Sequence, residues 1–120
     1  MSRTSLAFLI ASLALCPLAA TAADVPFAGT WANDVQQCGN DQSSENPPLV
    51  LTETAYDQGE AHCALSSVKE DAGAWQAKAK CSVEGDEQEG TFTFVVDGDK
   101  LTIRDDSGER SLSRCPQPHD

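Results

Sequence analysis

The sequence predicts an all-β fold of six or seven short antiparallel strands, arranged as a sandwich or as a small up-and-down β-barrel. Several segments alternate apolar and polar residues with a period of two, and tight-turn residues separate these segments. After residue 22, no stretch keeps a helical period for three turns. The chain shows neither repeats nor shifts in composition, which predicts a single domain.

The clearest predicted strand covers residues 75–83, where Trp, Ala, Ala, Cys and Val alternate with Gln, Lys, Lys and Ser. Residues 91–96 repeat this pattern with strong β-forming residues. Turn residues follow at 97–99 and 105–108. Shorter or weaker strands are predicted at 49–54, 62–68, 101–103 and 110–115. The residues expected to face inward are Trp31, Leu65, Trp75, Val83, Phe92, Phe94, Leu101, Ile103 and Leu112.

Residues 1–22 have the features of a cleaved signal peptide. Arg3 precedes an apolar run that is too short to span a bilayer, which argues against a retained membrane anchor. Ala-Thr-Ala at the end of this segment fits a signal-peptidase site. Leu15, a large residue directly before Cys16, departs from lipoprotein signals, so we expect no lipid anchor there. We expect residues 23–120 to form one exported domain, periplasmic or secreted, with flexible ends.

The composition is strongly acidic, with 19 Asp and Glu against 8 Lys and Arg, and a net charge of −11. Loss of Arg3 with the signal peptide would leave 7 basic residues and a net charge of −12. Nucleic acids and anionic membranes bind basic patches, because binding releases counterions from phosphates. We therefore expect no nucleic-acid binding, no membrane insertion and a solvated acidic surface.

Four cysteines follow the predicted signal peptide: Cys38, Cys63, Cys81 and Cys115. An even number in a short exported domain predicts two disulfides, which would compensate for a small core. The cysteines form no C-x-x-C pair, which argues against a zinc site. If residues 70–73 turn a hairpin, Cys63 faces Cys81 and Cys38 is left to pair with Cys115. Spacing alone leaves the pairing open.

Residues suited to catalysis are scarce. The two histidines, His62 and His119, fall on a strand surface and in the C-terminal tail. Acidic residues cluster at 84–89, but an exposed turn lacks the burial that acid–base catalysis needs. The cluster also fails the calcium-loop pattern, and the chain has no Gly-x-Ser-x-Gly motif. We therefore expect no enzymatic activity, no metal and no cofactor.

A resemblance favours the barrel over the sandwich. Gly29-Thr30-Trp31 resembles the G-x-W that opens the first strand of lipocalin-like barrels, the calycins in the broad sense. In that family the tryptophan packs on an arginine near the end of the last strand, the place that Arg114 occupies here. The resemblance implies a small antiparallel up-and-down β-barrel with Trp31 and Arg114 in its core.

Within this group the sequence resembles the small bacterial inhibitors of secreted metalloproteases. Their single disulfide implies Cys38–Cys63 here, leaving Cys81–Cys115 as the second pair, and this is the pairing we predict. Those inhibitors enter the protease cleft with an extended N-terminal tail. Here only residues 23–26 would be available for that role.

We predict an exported, non-enzymatic binding protein whose partner is another protein, with a protease-inhibitor-like role as one form of that function. Two alternatives stay open: a carrier of a small apolar ligand inside the barrel, and a structural envelope protein. Trp75 begins a strand beside a turn and is either a core residue, as we expect, or a half-exposed anchor. The candidate binding residues lie in two loops, Asn40 and Glu45 in 40–48, and Glu84, Asp86 and Glu87 in 84–90.

Overall fold

Eight antiparallel strands follow one another in chain order around a closed barrel, which confirms the predicted all-β, up-and-down architecture. The computed structural model describes residues 25–116, so the predicted signal peptide, Cys16, the predicted mature N-terminus and His119 lie outside the described residues. A short 3-10 helix, Val35–Gly39, connects the first two strands. The strands are β1 (Gly29–Ala32), β2 (Leu49–Leu51), β3 (Ala55–Gln58), β4 (Ala61–Asp71), β5 (Ala74–Val83), β6 (Asp86–Asp97), β7 (Lys100–Asp105) and β8 (Gly108–Arg114).

The acidic segment predicted as a loop at 84–90 is a strand for most of its length. Only Glu84 and Gly85 form the turn between β5 and β6, with φ angles of 50° and 88°. Residues 86–89 belong to β6, and all four are exposed. Because both faces of this part of the strand meet water, its sequence lacks the alternation that would have predicted it. β3 is likewise a strand that the sequence analysis missed.

The turns gather at two ends of the barrel, because neighbouring strands run in opposite directions. At one end, which we call the closed end, lie residues 25–28 and the β4–β5 and β6–β7 turns. At the other, which we call the loop end, lie the β3–β4, β5–β6 and β7–β8 turns and the connection 33–48 between β1 and β2. The two ends differ in how their interiors are filled.

Trp31 closes the interior at the closed end. Its side chain is fully buried, and its indole Nε1 donates a 2.9 Å hydrogen bond to the Phe27 carbonyl. The Arg114 guanidinium carbon lies 4.2 Å from the centre of the indole ring, a favourable cation–π distance. The same guanidinium donates to the carbonyls of Ala28 and Pro26, at 3.3 and 3.1 Å. The N-terminal segment is thereby held across this end.

A continuous column of aromatic rings fills the middle of the barrel. Tyr56 stacks on Phe92 with ring centres 4.9 Å apart, and Phe92 lies 5.6 Å from Phe94. Phe94 stacks on Phe27 at 4.7 Å, and Trp75 contacts Phe27 edge to face at 5.8 Å. Contacts of this kind stabilise a core beyond the apolar area that they bury. Aliphatic side chains complete the packing: Leu49, Leu51, Leu65, Leu101, Ile103 and Leu112.

The two disulfides correct the pairing predicted from the family resemblance. Cys63 pairs with Cys81, and Cys38 pairs with Cys115. The two-residue Ala72–Gly73 turn pairs Asp71 with Ala74, and the register shift between Ser66 and Lys69 then moves the pairing of β4 with β5 by one residue, so that Cys63 lies directly opposite Cys81. Facing residues of this kind approach closely enough to bridge.

The disulfides also bear on the environment of the chain. Two intact disulfides are typical of proteins in a non-reducing, exported environment. Over the range 25–116, the structure contains no helix of sufficient length and apolar character to cross a membrane.

Candidate functional site

The loop end carries a strand edge that has no neighbour. β6 pairs with β5 from Asp86 onward, but its pairing with β7 begins only at Thr93. The β7–β8 turn reaches the level of Gly90, where an added Cβ atom would lie 3.6 Å from Asp106 Oδ2. Residues 86–89 extend beyond that turn and are paired on one side only. We call residues 86–89 the free edge.

The register of β4 and β5 determines which backbone groups point to this edge. The Leu65 N–H donates to the Thr54 carbonyl at 2.9 Å, on the β3 side of β4. Cys63 lies two residues before Leu65 in β4, so its backbone N–H and C=O groups also point toward β3 and away from β5. Cys63 and Cys81 therefore form a non-hydrogen-bonded pair, consistent with their Cα separation of 3.9 Å.

The same alternation continues from β5 into β6. Cys81 points its N–H and C=O toward β6 and lies opposite Gln88, so Gln88 bonds β5. Glu87 and Glu89, on either side of Gln88, point their backbone groups away from β5. Four backbone polar groups, two N–H and two C=O, therefore face outward along the free edge.

The two faces of the free edge differ in character. The Glu87 and Glu89 side chains lie on the outer face, beside an open groove of about 560 Å³. His62, Lys80 and Ser82 also line that groove. On the inner face, a cleft of about 120 Å³ separates β6 from the β7–β8 turn, with Ala79, Cys81, Gly90, Phe92 and Asp106 among its lining residues.

The loop end is strongly acidic. Exposed pairs such as Lys80–Glu89 at 3.9 Å and Arg104–Glu109 at 2.6 Å neutralise little of this charge, and such pairs contribute at most about 1 kcal/mol each. The resulting negative potential favours the approach of cations and basic proteins. The exposed acidic residues at this end are Asp34, Asp41, Glu45, Glu60, Glu84, Asp86, Glu87, Glu89, Asp105, Asp106 and Glu109.

Arg110 occupies the mouth of the barrel at the loop end, a position that the sequence analysis missed. Its guanidinium donates to the Tyr56 hydroxyl and, at 3.4 Å, to Gln58 Oε1. Desolvation at the mouth lowers the pKa of Arg110 from its ordinary value. Arg110 shares the inward face of β8 with Leu112 and Arg114, and this alternation was the available sequence signal.

The 40–48 loop is held in place by its own hydrogen bonds. Asn40 Nδ2 donates to the Asn46 carbonyl, and Gln42 Nε2 donates to the Pro48 carbonyl, each at 2.9 Å. Gln42 Oε1 also accepts from the Gly59 N–H at 2.8 Å, which fastens the loop to the β3–β4 turn. The predicted binding residue Asn40 therefore has a structural role. Glu45 is exposed and lines a groove of about 380 Å³ on this loop.

The remaining predicted site residues lie in different places. Asp86 and Glu87 are on the free edge, and Glu84 is in the turn that precedes it. Trp75 is half-buried at the closed end, against Phe27, and so lies away from the other candidates. Within residues 25–116, no cluster of three or more His, Cys, Asp or Glu side chains is placed to hold a metal ion.

These features define a small closed β-barrel, consistent with a lipocalin-like barrel, with a filled interior and an acidic loop end that carries a free strand edge. Comparisons with protein-family models, with curated proteins and with solved structures found no match.

Proposed function

We propose that this chain is an exported, non-enzymatic binding protein that binds another protein through the loop end of its barrel. The observation that carries the proposal is the free edge, which leaves four backbone hydrogen-bonding groups exposed at the same end of the barrel as the preorganised 40–48 loop. Preorganisation favours binding because less conformational entropy is lost when the partner docks. Export to the periplasm or the medium is part of this proposal, supported by the two disulfides.

The filled interior favours a protein partner over a small apolar ligand. Small-molecule sites usually measure about 300–1,000 Å³, whereas the cleft between β6 and the β7–β8 turn measures about 120 Å³. The grooves of about 560 and 380 Å³ lie outside the barrel, on the outer face and on the 40–48 loop. The aromatic column from Tyr56 to Trp75 occupies the space that a ligand inside the barrel would need.

A secreted metalloprotease is one partner class for this site. The support is the G-x-W opening of β1 and the packing of Trp31 against Arg114, both of which match the resemblance to the metalloprotease inhibitors. The disulfide pairing differs from theirs. An inhibitor of this kind would therefore bind through its loop end instead of an N-terminal tail.

Site-specific photo-crosslinking in the exported fraction of producing cells tests the proposal. A photoreactive phenylalanine analogue replaces Glu45 or Glu84 at the loop end, and Asp71 or Asp97 at the closed end as matched controls. We expect a discrete protein adduct from the loop-end positions alone. The absence of such an adduct, or equal adducts from both ends, would contradict the proposal.

A further inference from the structure

We propose that the free edge of β6 binds a basic, extended segment of the partner protein as an added antiparallel strand. This inference rests on the proposed protein-binding function and specifies how the partner is recognised. The occupant is a short strand with the pattern basic–apolar–basic.

The backbone supplies the first part of the argument. Glu87 and Glu89 point two N–H and two C=O groups toward the open side of β6. A strand laid against residues 86–89 would satisfy all four groups, as happens when peptides extend the edge of a sheet. The β7–β8 turn bounds the free edge at Gly90, where Asp106 Oδ2 lies 3.6 Å from the position that a Cβ atom would take.

The outer face of the edge selects for positive charge. Glu87 and Glu89 project from this face at positions i and i+2, so the two residues of an added strand directly opposite would lie beside them. Lys80, at 3.9 Å from Glu89, is the nearest cation, and this exposed pair is weak. Lysine or arginine at both facing positions would complement the two carboxylates.

The inner face selects for an apolar residue between the two basic ones. The side chain between them would lie beside Gln88 and point toward a cleft that is lined on its apolar side by Ala79, Phe92 and Cys81 of the disulfide, and otherwise by polar residues of the β7–β8 turn. Phe92 is only partly buried, so a small apolar side chain would cover its exposed part.

A second copy of this chain is a poor occupant of the free edge. Antiparallel pairing of two such edges would bring Glu87 and Glu89 opposite glutamates of the other copy, and facing like charges are destabilising. The chain as a whole carries a net charge of −11, which adds to the repulsion.

A second strand segment that is paired on one side only, the end of β4, is protected in a different way. β4 continues beyond its last bond to the β2–β3 turn, but its register shifts between Ser66 and Lys69, where Ser67 has φ 51°. A bulge of this kind disrupts the ladder and prevents strand addition. The described part of β6 shows no register shift.

A peptide titration followed by amide NMR tests the inference. The probe is the acetylated and amidated peptide Lys-Val-Lys-Val-Lys, added to the ¹⁵N-labelled, disulfide-bonded protein. We expect the largest shifts at the amides of residues 86–90. N-methylation of the lysine amides, which would face β6, should lower affinity at least about tenfold, the equivalent of one or two hydrogen bonds. N-methylation of the valine amides, which would face away, should leave affinity within about threefold.

Two double variants separate the charge effect from the backbone effect. Glu87→Gln with Glu89→Gln should lower peptide affinity about tenfold, because two cross-strand charge pairs are lost. Glu70→Gln with Asp97→Asn removes the same net charge from the closed end and should change affinity less than about threefold.

Absence of shifts at residues 86–90 would overturn the inference. The acidic side chains of the free edge would then serve only to prevent aggregation through strand pairing. Equal loss of affinity from both N-methylated peptides would also overturn it, because binding would then be non-specific and electrostatic. Failure of the inference is distinguishable from failure of the proposed function. In the first case the loop-end crosslinks persist without peptide binding, and in the second the crosslinks are absent even if the peptide binds.

Discussion

Replacement of Trp31 by alanine is the strongest test of how the closed end is built. Trp31 is fully buried between Phe27 and Arg114 and closes the interior of the barrel. The substitution removes the indole ring, its hydrogen bond and the platform under the guanidinium. Each loss can be assigned an approximate free energy.

Removal of a buried tryptophan side chain costs about 3–5 kcal/mol from lost burial and the cavity left behind. The Phe27 carbonyl would lose its 2.9 Å donor, which adds about 1 kcal/mol. Loss of the contact with Arg114 adds about 0.5–1 kcal/mol. Because these contributions overlap, we expect Trp31→Ala to lower the free energy of unfolding by about 4–6 kcal/mol.

Guanidinium-induced unfolding, followed by the fluorescence of the remaining Trp75, measures this change. A small domain has only about 5–15 kcal/mol of total stability, so the alanine variant could fail to fold. Trp31→Phe keeps most of the volume and loses the N–H donor, and should cost about 1–3 kcal/mol. A loss below about 1 kcal/mol for Trp31→Ala would refute the assignment of Trp31 to the core.

Three further predictions concern the connections between strands. The Cys38–Cys115 disulfide closes a loop of 77 residues, and its removal should lower the free energy of unfolding by about 4 kcal/mol in denaturant melts. Removal of the cross-strand Cys63–Cys81 disulfide should lower it by about 3 kcal/mol, and the reverse order would contradict this prediction. Glu84 has a left-handed backbone conformation, which asparagine adopts more readily than glutamate. Glu84→Asn should therefore raise the free energy of unfolding by about 0.5–1 kcal/mol in the same assay, and a lower free energy would refute the assigned turn. Hydrogen bonds from Ser43 lower the pKa of Asp41 in the folded protein. The stabilisation that these bonds give the 40–48 loop is therefore present above the unfolded-state pKa of Asp41 and should be lost as the pH falls through the folded-state pKa. An NMR titration in which Asp41 has an ordinary or raised pKa would contradict this.

The fold class and the central hairpin were predictable from the sequence. Predicted strand 75–83 corresponds to Ala74–Val83, because strict alternation marks a strand with one buried face. The hairpin argument at 70–73 gave the observed Cys63–Cys81 pair, whereas the family resemblance pointed to the wrong one. Local geometry was the better guide here because the two cysteines lie on adjacent strands of one hairpin, although the exact register at Cys63 also depends on the shift between Ser66 and Lys69.

The candidate site was much less predictable. The acidic residues of the free edge were identified, but as part of a loop, because a strand exposed on both faces shows no alternation. That the edge is free depends on the lengths of two neighbouring strands, 12 residues for β6 and 6 for β7, which only the folded register reveals. Arg110 was missed because its alternation with Leu112 and Arg114 on β8 covers only three positions, which is a weak signal for a charged residue that faces the barrel mouth.

Site-resolved amide hydrogen exchange on the isolated protein tests the central claim most directly. We predict alternation along the start of β6, with fast exchange at Glu87 and Glu89 and slow exchange at Gln88 and Gly90. From Thr93 onward, amides on both sides of the strand should be protected. Addition of a partner that binds the free edge should then slow amide hydrogen exchange selectively at Glu87 and Glu89. Equal protection of Glu87, Gln88 and Glu89 in the isolated protein would show that the edge is already paired, and would contradict the account.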